Sequence, residues 1–150
     1  MEHHDPDRDV PLVAEDIAAF VREFEGCTLP KPRWTHHAHL LVGLWYLSRH
    51  TPEEALKIVR QRIRAYNESV GTANTDDGGY HETLTRFYLD AIAAHMARYP
   101  AESLPDSLAL LLKTPAARSS WPLRFYSRER LFSVQARRGW LEPDLPRAAT

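Results

Sequence analysis

The sequence predicts an all-α fold, a compact bundle of five or six helices. Apolar residues recur at spacings of three and four in one segment after another, the repeat of a helix face. Capping residues and prolines punctuate those segments at their ends. No strand-like alternation stands beside them. At 150 residues the chain has the length of one ordinary domain, expected over 12–150 after a disordered tail of residues 1–11.

The tail, MEHHDPDRDVP, holds little apolar content and two prolines, so its His3 and His4 are read as solvated. The first helix follows over 13–24, with Val13, Ile17, Phe20, Val21 and Phe24 on one stripe. Gly26 ends it, and Pro30–Lys31–Pro32 holds the next residues extended. Thr35 caps a second helix running to Arg49. Its sequence, HHAHLLVGLWYLSRH, is apolar almost all the way round and therefore central. Thr51, Pro52 and Glu54 form a capping box for a third helix, with Ala55, Ile58, Val59, Ile63 and Tyr66 inward.

Residues 71–79, GTANTDDGG, form the clearest loop. A fourth helix runs from Tyr80 to Arg98 and lies centrally with the second, the two antiparallel or nearly so. A shorter fifth helix covers 105–113. The stretch TPAARSSWPLRFY is irregular, broken by Pro115 and Pro122. Ser127 caps a last helix over 128–138, closed by Gly139, and the C-terminal LEPDLPRAAT is extended and partly frayed.

The charges nearly cancel, with 19 basic and 20 acidic residues. That balance argues against a nucleic-acid partner, and no apolar run is long enough to span a membrane. One cysteine, Cys27, cannot form an internal disulfide, and this fits a cytoplasmic protein. A homodimer is compatible with the pattern, but no face is singled out for it.

Chemistry concentrates at the starts of the second and fourth helices. His36 and His39, three residues apart, share a helix face and can converge on one ion. His37 falls almost opposite His39. His81, after the DDGG loop, is the candidate third ligand for a divalent transition metal, zinc or iron foremost. Glu82 is placed as fourth ligand, orienter or catalytic base, with Glu25, Asp76 and Asp77 as alternative carboxylates. Trp34, Tyr80, Thr83 and Thr85 are candidate ligand contacts. The expectation is a metal-dependent enzyme acting on a small molecule.

The plainer readings stand beside it. His36 and His39 can be satisfied structural histidines, and Glu82 sits four residues before Arg86 in ordinary ion-pair spacing. The alternative is a non-catalytic module that binds a small ligand or a protein, with structural histidines and an aromatic groove. His50 and His95 read as structural or exposed. Cys27 with a histidine is a conceivable nucleophile pair. Arg33, Arg86, Arg118 and Arg124 are candidates for holding an anionic group. HExxH, GxSxG, Walker and paired ExxH motifs are absent.

The strings FEGCTLPKPRWTHHAHL, YNESVGTANTDDGGYHETLTRFY and FYSRERLFSVQARRGWLEPDL resemble a family of small, functionally uncharacterised bacterial proteins. The resemblance spans most of residues 20–145, and its distinctive motifs are Trp34 to Leu40 and Tyr80 to Thr83. It implies a stand-alone helical protein and brings no reaction with it. A looser likeness is to the DinB-like bundles, which place three histidines around a divalent metal. Those bundles set one histidine early and a pair late, whereas here the pair comes first, so the likeness is one of architecture alone.

Overall fold

The computed structural model describes residues 9–146. Among them are seven α-helices and no strand: α1 Ala14–Glu25, α2 His36–Leu47, α3 Pro52–Ser69, α4 Glu82–Arg98, α5 Leu104–Leu111, α6 Arg128–Leu131 and α7 Val134–Arg138. Three 3-10 turns, Lys31–Arg33, Pro115–Ala117 and Trp121–Arg124, join them. The all-α expectation holds.

Helix α2 has no polar stripe, and it accordingly lies at the centre. Leu40, Leu41, Val42, Leu44 and Tyr46 are all buried. It packs most extensively on α4, with α3 lying against both. The closest approach is at Gly43, where an added Cβ would come within 2.9 Å of Ile92 Cδ1 and 3.3 Å of Leu89 Cδ2. Glycine therefore sets how near α2 and α4 stand. Ile17, Phe20, Val21 and Phe24 bring α1 into the same core. Each such side chain contributes about 1.5–3 kcal/mol on burial.

The caps behave as the sequence suggests. The Thr35 hydroxyl accepts from Ala38 N, and Thr51 with Glu54 forms the capping box. The Ser127 hydroxyl accepts from Arg130 N.

Several boundaries differ. Ordered packing begins before Leu12, because Val10 is buried in the core and Asp9 reaches His37. His3 and His4 lie outside the described residues. Residues Lys31–Arg33 wind into a 3-10 turn instead of running extended, with Pro32 in its first turn. Helix α4 begins at Glu82, since His81 serves as its N-cap. The final helix is two: Ser133 caps α7 by accepting from Ala136 N, and its hydroxyl donates to the Arg130 carbonyl.

The C-terminal stretch is pinned as far as residue 145. Asp144 accepts from the Ser127 amide and hydroxyl at 2.7 and 2.6 Å. Tyr126 Oη donates to Leu141 O, and Leu145 N donates to Phe125 O. No helix among the described residues is long and apolar enough to cross a membrane.

Candidate functional site

One cavity of about 510 Å³ gathers most of the residues singled out from the sequence. Trp34, His36 and His39 line it from the start of α2, and Tyr80, His81 and Thr85 from the start of α4. Val59, Ile63, Leu89 and Ile92 supply apolar wall. Among the described residues no Asp, Glu, Lys or Arg lines it. The volume and the mostly apolar wall with a few polar groups are those of a small-molecule site.

Each histidine is held by a backbone carbonyl. The His36 Nε2–H donates to Ala116 O at 2.8 Å, and the ring stands edge-on to Tyr88, centroids 4.8 Å apart. The His39 Nδ1–H donates to Thr35 O at 2.7 Å, and the ring lies against Trp34, centroids 3.8 Å apart. These bonds set the tautomers, because a carbonyl can only accept. His36 Nδ1 and His39 Nε2 receive no hydrogen bond from the described residues, so each keeps a free lone pair.

His81 is different. Its Nε2–H donates to Leu131 O at 2.7 Å, and its Nδ1 accepts the Leu84 amide at 3.1 Å. Both ring nitrogens are spent on structure, so His81 has no lone pair for a metal. The Glu82 carboxylate does not reach the cavity. It takes a bidentate grip from Arg60 at 2.8 and 2.7 Å and a 2.7 Å hydrogen bond from Tyr80 Oη. Asp76 is bound by Arg138, Asp77 accepts from the Thr75 hydroxyl, and Glu25 accepts from Tyr46 Oη. Among the described residues no group of three His, Cys, Asp or Glu stands where it could hold a metal ion. The donor set assembled here therefore does not fit the three-histidine centre expected from the sequence.

The electrostatics follow from burial. Desolvation lowers the pKa of His36 and of His81 below the ordinary value. His39 is pushed down to about 4 by burial, against its bond to Thr35 O, which raises it. Its ring is exposed by surface area because it faces the cavity, yet protein surrounds it beyond. All three imidazoles are neutral near neutral pH. Burial raises Tyr80, which stays a phenol and donates to Glu82. Burial alone would raise the Glu82 carboxyl, but the Arg60 and Tyr80 hydrogen bonds outweigh it and hold the group below its usual range.

Thr83 is a structural residue. Fully buried, it donates from Oγ1 to Gly139 O and accepts from Leu141 N. Thr85 bonds back to His81 O at 2.8 Å and remains on the cavity wall. Cys27 does not line the cavity. His37 stands apart, bridging Asp9 and Ala117 O.

Asn67, Thr72 and Ser119, none of them a candidate from the sequence, also line the cavity. Asn67 carries a signal for this, since it continues the buried stripe four residues after Ile63. Its amide donates to Asn74 Oδ1 at 3.0 Å, and the same oxygen accepts the Tyr80 amide. Asn74 thereby folds the 71–79 loop onto the cavity rim. Gly79 makes this possible at φ 78°, where a Cβ would sit 2.5 Å from Ala73 O.

Comparison with known proteins returns no matching family model, no similar curated protein and no similar solved structure.

Proposed function

We propose that the protein binds a small, uncharged, partly apolar molecule carrying a hydrogen-bond donor, in the cavity between α2, α3 and α4. The observation that carries this reading is the pair of anchored imidazoles. Among the described residues, each spends one nitrogen on a backbone carbonyl and keeps the other free, in a cavity that no charged side chain lines. A ligand N–H or O–H satisfies such an acceptor, while Trp34 and Tyr88 offer faces and edges to an apolar or planar body.

Binding fits this site better than proton transfer. A general base works best with a pKa near the operating pH, and His39 at about 4 lies well below it. An imidazole so poised accepts a hydrogen bond and holds little proton. The metal-dependent alternative needs a third donor, and the engagement of both His81 nitrogens weighs against it.

Calorimetric titration with phenol and indole, against benzoate and benzylamine, tests the reading. Phenol and indole bind saturably, and the charged pair binds far more weakly. His39→Phe keeps a ring beside Trp34 but removes the acceptor, and it weakens phenol binding about tenfold, the worth of one hydrogen bond. Equal binding of the charged probes, or unchanged phenol affinity in His39→Phe, overturns it.

A further inference from the structure

The sequence offers four arginines as holders of an anionic group, and the structure separates them. Arg33 lies over the Phe20 ring and pairs with Glu23 at 3.4 Å. Arg86 lies over Trp140, 4.5 Å from its centroid, and faces Asp90 at 3.7 Å. Arg118 and Arg124 make no ion pair with the described residues. With Lys113 they border one concavity of about 610 Å³, on whose wall no acidic residue stands among the described residues.

That charge distribution is unusual for this chain. Overall it carries 19 basic and 20 acidic residues, yet 107–128 contains no Asp or Glu. Three cations around one hollow repel each other, and an anion seated among them relieves that repulsion.

The wall is also held in shape. His36 and His37 donate to the carbonyls of Ala116 and Ala117, and Tyr88 Oη donates to that of Arg118. Trp121, a half-buried ring on the same wall, is braced by Phe87 and Phe125. The hollow thus joins cationic side chains on a braced backbone to an aromatic edge.

We infer that this concavity binds a small phosphate monoester, its phosphate among Lys113, Arg118 and Arg124 and its organic part beside Trp121. A dianion offsets most of the three charges, and the guanidinium fork matches phosphate oxygens. The size is that of a small-molecule site. Three cations on a near-neutral chain are too few to grip a nucleic-acid backbone at ordinary salt. The site shares no side chain with the cavity of the histidines, and either can fail alone.

Phosphorus NMR titration of the full chain with phenyl phosphate and with inorganic phosphate tests it. Phenyl phosphate binds saturably and more tightly than inorganic phosphate. The double variant Arg118→Gln/Arg124→Gln loses at least about tenfold in affinity, while Arg33→Gln/Arg86→Gln binds as the native chain does. Circular dichroism verifies that both are folded, and Lys113→Gln replaces the first variant if it is not. No saturable binding, retention in the first variant, or equal loss in the second overturns the site. Inorganic phosphate binding as well as phenyl phosphate overturns the place given to Trp121. Tighter capture of a short single-stranded oligonucleotide through the same residues overturns the small-ligand assignment.

Discussion

The imidazole of His39 lies against the indole of Trp34, ring centroids 3.8 Å apart and planes inclined at 31°. Trp34 is stacked in turn on Phe24, 4.6 Å away. With Nδ1–H tied to Thr35 O, the His39 ring is held along one face by Trp34 and at one edge by that carbonyl. Its acceptor nitrogen is thereby oriented before any ligand arrives, and the ordering cost of binding falls.

Removing the indole exposes that dependence. Trp34→Ala costs about 2 kcal/mol, below the roughly 3–5 kcal/mol of a fully buried aromatic because Trp34 is only half-buried. Phenol affinity falls as well, since His39 loses its support. Urea unfolding and titration on the same variant measure both effects.

The lowered histidine pKa values couple stability to pH. His39 titrates at about 4 in the folded protein against 6.5 for the free group. Between those values the unfolded chain binds a proton that the folded chain refuses, so stability falls as pH drops through this window. Below about 4 both states are protonated and the loss from this group stops growing. His39→Gln removes its share, so its urea midpoint declines less than the native one between pH 6.5 and about 4.

Glu82 holds α3 to α4 and is not a base in the cavity. Its carboxylate is largely buried, whereas Arg60 is 38% exposed, so solvent screens part of the pair. Glu82→Gln costs about 1–2 kcal/mol, and a cycle with Arg60→Gln gives a coupling of about 1 kcal/mol. Phenol binding persists in Glu82→Gln. Loss of binding with an intact fold contradicts the role given to Glu82.

His81→Ala removes the N-cap of α4 and the donor to Leu131 O. It destabilises the fold by about 1–2 kcal/mol. Chelator treatment leaves the thermal midpoint of the native chain and of this variant unchanged.

Two glycines give a paired test of the loop. Gly71, at φ 82°, has open space where a Cβ would go, so Gly71→Ala costs only about 1 kcal/mol of backbone strain. Gly79→Ala meets Ala73 O at 2.5 Å and Asn74 Oδ1 at 2.7 Å and costs more than that. Thermal midpoints of the two variants rank them.

Helix α2 was legible because an all-round apolar sequence can only be central, and its Thr35 cap reads directly from side-chain type. The clustering of Trp34, His36, His39, Tyr80, His81 and Thr85 at two helix starts was legible, but not that those starts meet, which the packing of α2 on α4 brings about. What those side chains do there was not legible. His81 meets Leu131, 50 residues away, and His36 meets Ala116, 80 residues away. No local pattern announces such contacts. Glu82 has Arg86 at helical spacing, yet Arg60 of the neighbouring helix holds it in two hydrogen bonds. The split between α6 and α7 was missed because Ser133 caps from within an apparently continuous helical pattern.

The most direct test of the central claim is long-range proton–nitrogen NMR of the imidazoles near neutral pH, with and without phenol. Both rings are neutral on this account, with His36 protonated at Nε2 and His39 at Nδ1, and phenol shifts the signals of His36 Nδ1 and His39 Nε2. A charged imidazole, a reversed tautomer at either ring, or free nitrogens indifferent to saturating phenol contradicts it.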